Sequence, residues 1–104
     1  MPAFADEAPL ACSAIADLDE VWIYTARNQN IEAAERLVNL LMNRFTTIAS
    51  HPGVGRRRVD LGENIRSLVA GNYRLYYSKE RKGIVRVLYV RHAARDETKL
   101  FGPK

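Results

Sequence analysis

The chain has 104 residues, 47% of them hydrophobic and 27% charged, the make-up of one globular domain with a single modest core. Its one cysteine, Cys12, excludes an internal disulfide and a cysteine-built metal site, and no apolar run is long enough to cross a bilayer. The net charge of +4 is unevenly spread: up to Gly55 three arginines stand against seven acids, a net of −4, and from Arg56 onward thirteen Lys and Arg stand against five acids, a net of +8.

So basic a half suits an acidic partner, either nucleic acid or an acidic protein segment; the alternative is a solvated face that keeps the protein soluble. The composition fits a reducing cytoplasm. Residues 1–12, MPAFADEAPLAC, lack the basic start and apolar centre of a secretory signal. Pro2 and Pro9 remove backbone donors there, which predicts a partly ordered arm or a short edge strand.

From Ser13 the pattern changes. Ile15, Leu18, Val21, Trp22 and Thr25 recur at three- and four-residue spacing, with Asp17 and Glu20 on the opposite side and Asp19 on the flank. This predicts an amphipathic helix with acids in its first turns, where the helix dipole favours them. The helix should end in the polar turn Arg27–Asn30, and Asn30 is a candidate N-cap for a second helix. Along that helix Ala34, Leu37, Val38, Leu41, Phe45 and Ile48 form one stripe, and Pro52 and Gly53 stop it. Two helices joined by so short a turn make an antiparallel hairpin.

The second half reads as strands. NIRSLVA, YRLYYS and IVRVLYV are rich in β-branched and aromatic residues, and KERKG, ending in Gly83, suits a hairpin connection between the last two. Alternation sends one set of side chains toward the helices and sends Arg74 and Arg86 away. Trp22, Phe45, Tyr73 and Tyr77 are expected in the core. Residues 13–104 should therefore form one α+β domain, a helix hairpin packed on one face of a small twisted antiparallel sheet.

Little in the chain announces catalysis. GVGRRRVDLG lacks the spacing and the lysine of a phosphate loop, and no Ser, His and Asp set is evident. No metal or cofactor is called for. His51 falls beside the helix stop, and His92 sits among Arg91, Arg95 and Asp96. Arg66 and Arg74 fall on the first two strands and Arg95 follows the third, so neighbouring strands could gather them on one sheet face as a phosphate or carboxylate site. The alternative is ordinary surface arginines paired with Asp60, Glu63 or Asp96. Arg56, Arg57 and Arg58 form a run suited to docking an acidic partner.

Several motifs occur together. ADLDEVWIYTA opens the first helix, and GRRRVDLGENIRSLVAGNYRLYYSKERKGIVRVLYVRHAARD follows the second. In this order they resemble the ParE branch of the RelE/ParE toxin superfamily, over roughly residues 13–101. The resemblance implies a bacterial toxin that inhibits DNA gyrase and replication by binding. It also implies a cognate ParD-like antitoxin that wraps and neutralises it in a toxin–antitoxin hetero-oligomer. The RelE branch instead cuts messenger RNA on the ribosome with lysines, arginines and a C-terminal tyrosine. Against that set Arg74 and Arg95 resemble two of the arginines and Arg66 falls at a lysine position. Phe101 stands where the tyrosine is expected, and a further lysine position falls near Asn64. Phosphate-binding cations remain while the proton-transfer groups are missing, with His92 the one candidate acid or base. A gyrase inhibitor therefore leads, and a ribosome-dependent ribonuclease is the alternative. A free-standing nucleic-acid-binding domain is a third reading, which no recognition helix supports. The resemblance also implies an N-terminal strand, which Pro9 makes short or irregular.

Overall fold

The computed structural model describes residues 11–79 and 85–92. Two helices, α1 (Cys12–Asn28) and α2 (Ile31–Ser50), are followed by four strands, β1 (Arg56–Arg57), β2 (Ile65–Ala70), β3 (Tyr73–Lys79) and β4 (Val85–His92). The strands form one antiparallel sheet in sequence order, and α1 and α2 pack together on one of its faces. Residues 1–10, most of the expected N-terminal arm, and residues 80–84, most of the KERKG connection, lie outside the described residues.

Local chemistry explains the helix ends. Asn30 caps α2 by accepting the Ala33 amide on its side chain at 2.7 Å. The chain leaves α2 at His51, whose N–H donates to the Thr47 carbonyl, and Pro52 bars a further turn. Ala34, Leu41, Phe45 and Ile48 are fully buried, so the stripe expected along α2 is the observed one.

On α1 the buried stripe keeps the expected Val21 and Thr25 but takes in Ala14 and Asp17 instead of Ile15. Ala14, Asp17, Val21 and Thr25 face the sheet, while Ile15 is 48% exposed and Trp22 is only partly buried. Asp17, expected in solvent, is 6% exposed, and the first turn of α1 holds no acid. The reason is the edge of β4. Ala11 N–H donates to the Val87 carbonyl at 2.8 Å, Ser13 Oγ to the Leu88 carbonyl at 2.6 Å, and Val90 N–H to Asp17 Oδ2 at 2.8 Å. The start of α1 thus satisfies backbone groups that an edge strand would leave open.

The core joins both layers: Val21, Leu41, Phe45 and Ile48 from the helices meet Leu75, Tyr77, Val87 and Val90 from the sheet. Gly71, at φ +61°, permits the tight Gly71–Asn72 turn that sets the β2–β3 register, Ala70 opposite Tyr73 and Arg66 opposite Tyr77. A bulge between Tyr76 and Tyr77 in the β3–β4 ladder pairs Tyr77 with Val87, which keeps Val85 and Val87 on the buried side. Among the described residues no helix is long and apolar enough to cross a membrane, and no cluster of three or more His, Cys, Asp or Glu could hold a metal.

Candidate functional site

The first two residues of the arginine run enter the sheet. Arg56 and Arg57 form β1, pairing with Ser67 and Arg66 of β2, and Arg58 N–H donates to the Ile65 carbonyl at 2.8 Å. Alternation along this segment divides the three side chains. Arg56 and Arg57 are exposed, and among the described residues neither side chain makes a hydrogen bond or ion pair. Arg58 is largely covered. It grips Asp60 through Nε at 3.2 Å and Nη2 at 3.0 Å, and reaches Ser67 Oγ at 3.4 Å. The run is thus one tethered arginine beside two free ones.

Arg66 and Arg74 do not converge. The register puts Arg66 opposite Tyr77 and Arg74 opposite Val69, so they leave β2 and β3 on opposite faces. Arg66 turns back on the loop before β1, donating to the Gly55 carbonyl at 2.8 Å and the Gly53 carbonyl at 3.4 Å. Arg95 and Phe101 lie outside the described residues. The single-face cluster expected from sequence is therefore replaced by two separate arrangements.

The first arrangement locks the loop. Beside Arg66, the Tyr77 hydroxyl donates to the Pro52 carbonyl at 2.7 Å and accepts from Gly55 N–H at 2.8 Å. Gly55 has no room for a side chain, since a Cβ there would lie 2.6 Å from the Tyr77 oxygen and 2.8 Å from the Ser67 carbonyl. Burial raises the Tyr77 hydroxyl above the ordinary value of 10.0, against the lowering pull of the Gly55 hydrogen bond and the Arg66 charge. Tyr77 and Arg66 together fix where the β1 arginines emerge.

The second arrangement is the sheet face turned away from the helices. The register draws three rows across it. Arg58, Ile65, Ser78 and Arg86 form one; Arg56, Ser67, Tyr76 and Tyr89 the next; Val69, Arg74 and Arg91 the third. Ser67, Tyr76 and Ser78 in the middle are buried, whereas Arg56 and Arg86 at the ends are exposed. Arg91 packs over the Tyr89 ring at 5.3 Å and donates from Nε to Asp17 Oδ2 at 3.2 Å. No acidic residue occupies any position of the three rows. Asp60 and Asp17 stand outside them and hold Arg58 and Arg91.

His92 belongs to neither arrangement. It is exposed, pairs with Tyr73 on the helix side of the sheet, and meets the Tyr73 ring edge-on at 5.5 Å. Both line an open groove of about 750 Å³ that also takes in Val21, Tyr24, Leu37 and Val90. The Tyr73 hydroxyl is raised above 10.0 by burial and by nearby Tyr24, and drawn down by a hydrogen bond with Thr25. His92 thus faces away from Arg74, and the two cannot serve one reacting atom on a shared sheet face. His51 is the exposed C-cap of α2.

Asp17 and Tyr77 were not singled out as polar anchors in the sequence. For Asp17 the signal was its i, i+4 spacing to Val21, with Ala14 a turn before, once small alanines count as core residues. For Tyr77 the core position was legible and its long-range hydroxyl partners were not.

The chain as a whole is similar to known proteins. The family model described as ParE toxin of type II toxin–antitoxin system, parDE, matches residues 10–97. Toxin ParE1 of Caulobacter vibrioides is 32% identical over 81 residues, covering 77% of this chain and 84% of that protein. A solved structure, the chromosomal ParDE toxin–antitoxin system from P. aeruginosa, has a TM-score of 0.68 at 16% identity and covers 80% of this chain and 90% of that one. At that identity the structural likeness speaks for the fold.

Proposed function

This chain belongs to the ParE toxin family of type II toxin–antitoxin systems, and on that premise we propose that it inhibits DNA gyrase, and so replication, by binding rather than by catalysis. A cognate ParD-like antitoxin neutralises it in a hetero-oligomer, and both act in the cytoplasm, where gyrase works on DNA.

The observation that carries the choice of binding over catalysis is the divergence of Arg66 and Arg74 to opposite faces. Cleavage of a phosphodiester needs an acid, a base and cations around one phosphate. Arg66 is spent on the Gly53 and Gly55 carbonyls, and His92 lies on the helix side of the sheet. Phe101 offers no hydroxyl at the position where the ribonuclease branch carries its tyrosine.

A toxin that works by contact needs a rigid surface with a distinctive charge. Exposed Arg56 and Arg57, set in place by the Tyr77 and Arg66 loop lock, are the docking cations for acidic residues of the antitoxin or target. The test is plasmid supercoiling by purified gyrase. Addition of the protein should abolish supercoiling in a dose-dependent way, and purified antitoxin should restore it. Undiminished supercoiling at a large molar excess of toxin would remove the gyrase assignment.

A further inference from the structure

We propose that the outward row of α1, formed by Ile15, Asp19, Ile23 and Arg27, packs against the same row of a second copy of this chain, antiparallel and about a two-fold axis at Ile23. The association belongs to the free protein and does not depend on the gyrase reading.

This row is the side of α1 that its own fold leaves uncovered. Ala14, Asp17, Val21 and Thr25 turn inward, whereas Ile15 and Ile23 are 48% and 47% exposed and Asp19 and Arg27 are exposed as well. Four-residue spacing puts all four on one ridge of the helix surface. A helix that packs one face on a core needs only one apolar stripe, and its opposite face is ordinarily polar. Two isoleucines on that opposite face are the departure to be explained.

The charges on the ridge select the partner. Among the described residues neither Asp19 nor Arg27 makes a side-chain hydrogen bond or ion pair. Within α1 no opposite charge is in reach: the positions three and four away are Ile15, Ala16, Trp22 and Ile23 for Asp19, and Ile23 and Tyr24 for Arg27. The two charges stand one turn either side of Ile23, each about 6 Å along the axis. In one direction the ridge reads acid, isoleucine, base; reversed, it reads base, isoleucine, acid. An antiparallel copy with Ile23 against Ile23 therefore sets Asp19 opposite Arg27 twice, as a two-fold contact requires. An axis between Asp19 and Ile23 would set each charge against an isoleucine, and an axis at Asp19 would bring two carboxylates together.

Packing permits the arrangement. Ridges of four-residue spacing interlock when two helices cross at about −50°, the commonest helix packing. Small Ala16 and Ala26 flank the ridge and let the helices close in. Ile15 then runs toward the hairpin turn of the second copy, where Ile31 is also exposed. Other occupants fit less well. An anionic lipid surface would meet Asp19 and exposed Glu20 with only Arg27 to attract it. An antitoxin helix would have to supply base, apolar residue and acid at the same spacing, a complement that the second copy already carries. One helix crossing buries less than the roughly 1,200 Å² of a stable interface, so the dimer is weak, with a dissociation constant on the order of 10–100 µM.

The experiment is sedimentation velocity of the purified full chain from about 5 to about 500 µM. The weight-average sedimentation coefficient should climb from monomer toward dimer over that range. Asp19→Arg or Arg27→Glu alone sets like charges opposite and should weaken association about tenfold or more. Mixing the two variants should restore it, because every pair across the axis is then acid against base. The double swap Asp19→Arg, Arg27→Glu in one chain should restore it too. Recovery separates a lost contact from a lost fold, since Arg27→Glu also gives up a favourable charge at the helix C-terminus.

Three results would overturn the proposal: a wild-type chain that stays monomeric at the highest concentration, association that neither reversal weakens, or no recovery in either the mixture or the double swap. A monomeric chain whose antitoxin affinity falls on Ile23→Ser would assign the row to the antitoxin instead.

Discussion

Tyr77→Phe is the most informative single change, because it alters one oxygen and almost no volume. The hydroxyl donates to the Pro52 carbonyl and accepts from the buried Gly55 N–H. Each hydrogen bond contributes about 0.5–1.5 kcal/mol net, and a buried amide left without an acceptor costs about 1–3 kcal/mol. The Pro52 carbonyl is only part-buried, so water can replace much of that half. Together these give a loss of about 2–3 kcal/mol. In a domain of this size that lowers the melting temperature by roughly 10–20 °C. Urea unfolding, with the midpoint and slope fitted separately, is the assay. The slope should not change, since the surface exposed on unfolding is nearly the same. A loss below about 0.5 kcal/mol would refute the claim that this hydroxyl locks the loop. Coupling provides a second check: Arg66→Met acts on the same loop, so the two changes should deviate from additivity by at least about 0.5 kcal/mol.

Other outcomes follow from named contacts. Asp17→Ala should cost about 2 kcal/mol and speed amide exchange at Val90, whose N–H loses its acceptor; Asp17→Asn should recover most of the exchange protection while losing the charge that holds Arg91. Asn30→Ala should cost about 1 kcal/mol, measured by denaturant unfolding, by removing the α2 cap. The tyrosine shifts set an alkaline limit. Folded Tyr73 and Tyr77 hold their protons above 10.0, so their contribution is complete below that pH and is lost as pH rises through the folded values; melting temperature should fall from about pH 10 upward, and less steeply in Tyr77→Phe. Replacing Arg56 and Arg57 by Ala should weaken antitoxin binding and flatten its salt dependence with no loss of stability, whereas Arg58→Ala should also lower stability slightly, because the exposed Asp60 screens that ion pair.

Legibility in the sequence followed the range of the interaction. The Asn30 cap, the α2 stripe and the Pro52 stop are decided within a few residues, and each stands where the pattern put it. On α1 Val21 and Thr25 were legible, whereas the start of the stripe was not, because Ala14 and Asp17 replace Ile15 and Asp17 is buried by contacts with β4 some seventy residues away. The strand at Arg56–Arg57 is two residues long and carries no alternation to detect; it exists because β2 offers it a ladder. The supposed Arg66 and Arg74 cluster could have been dissolved on paper. A two-residue turn at Gly71–Asn72 fixes Ala70 opposite Tyr73, and counting outward sends the two arginines to opposite faces. The Tyr77 hydroxyl contacts lie beyond such counting, since they depend on how the loop after α2 folds back over the sheet.

Binding to gyrase is the central claim, and one paired assay tests it most directly. The purified protein is added to gyrase, ATP and supercoiled plasmid, and in parallel to a translation extract carrying a defined messenger. A binding inhibitor predicts loss of supercoiling with linear DNA accumulating, reversal by antitoxin, and an intact messenger. Messenger cleavage with gyrase unaffected would contradict the account and return the protein to the ribonuclease branch.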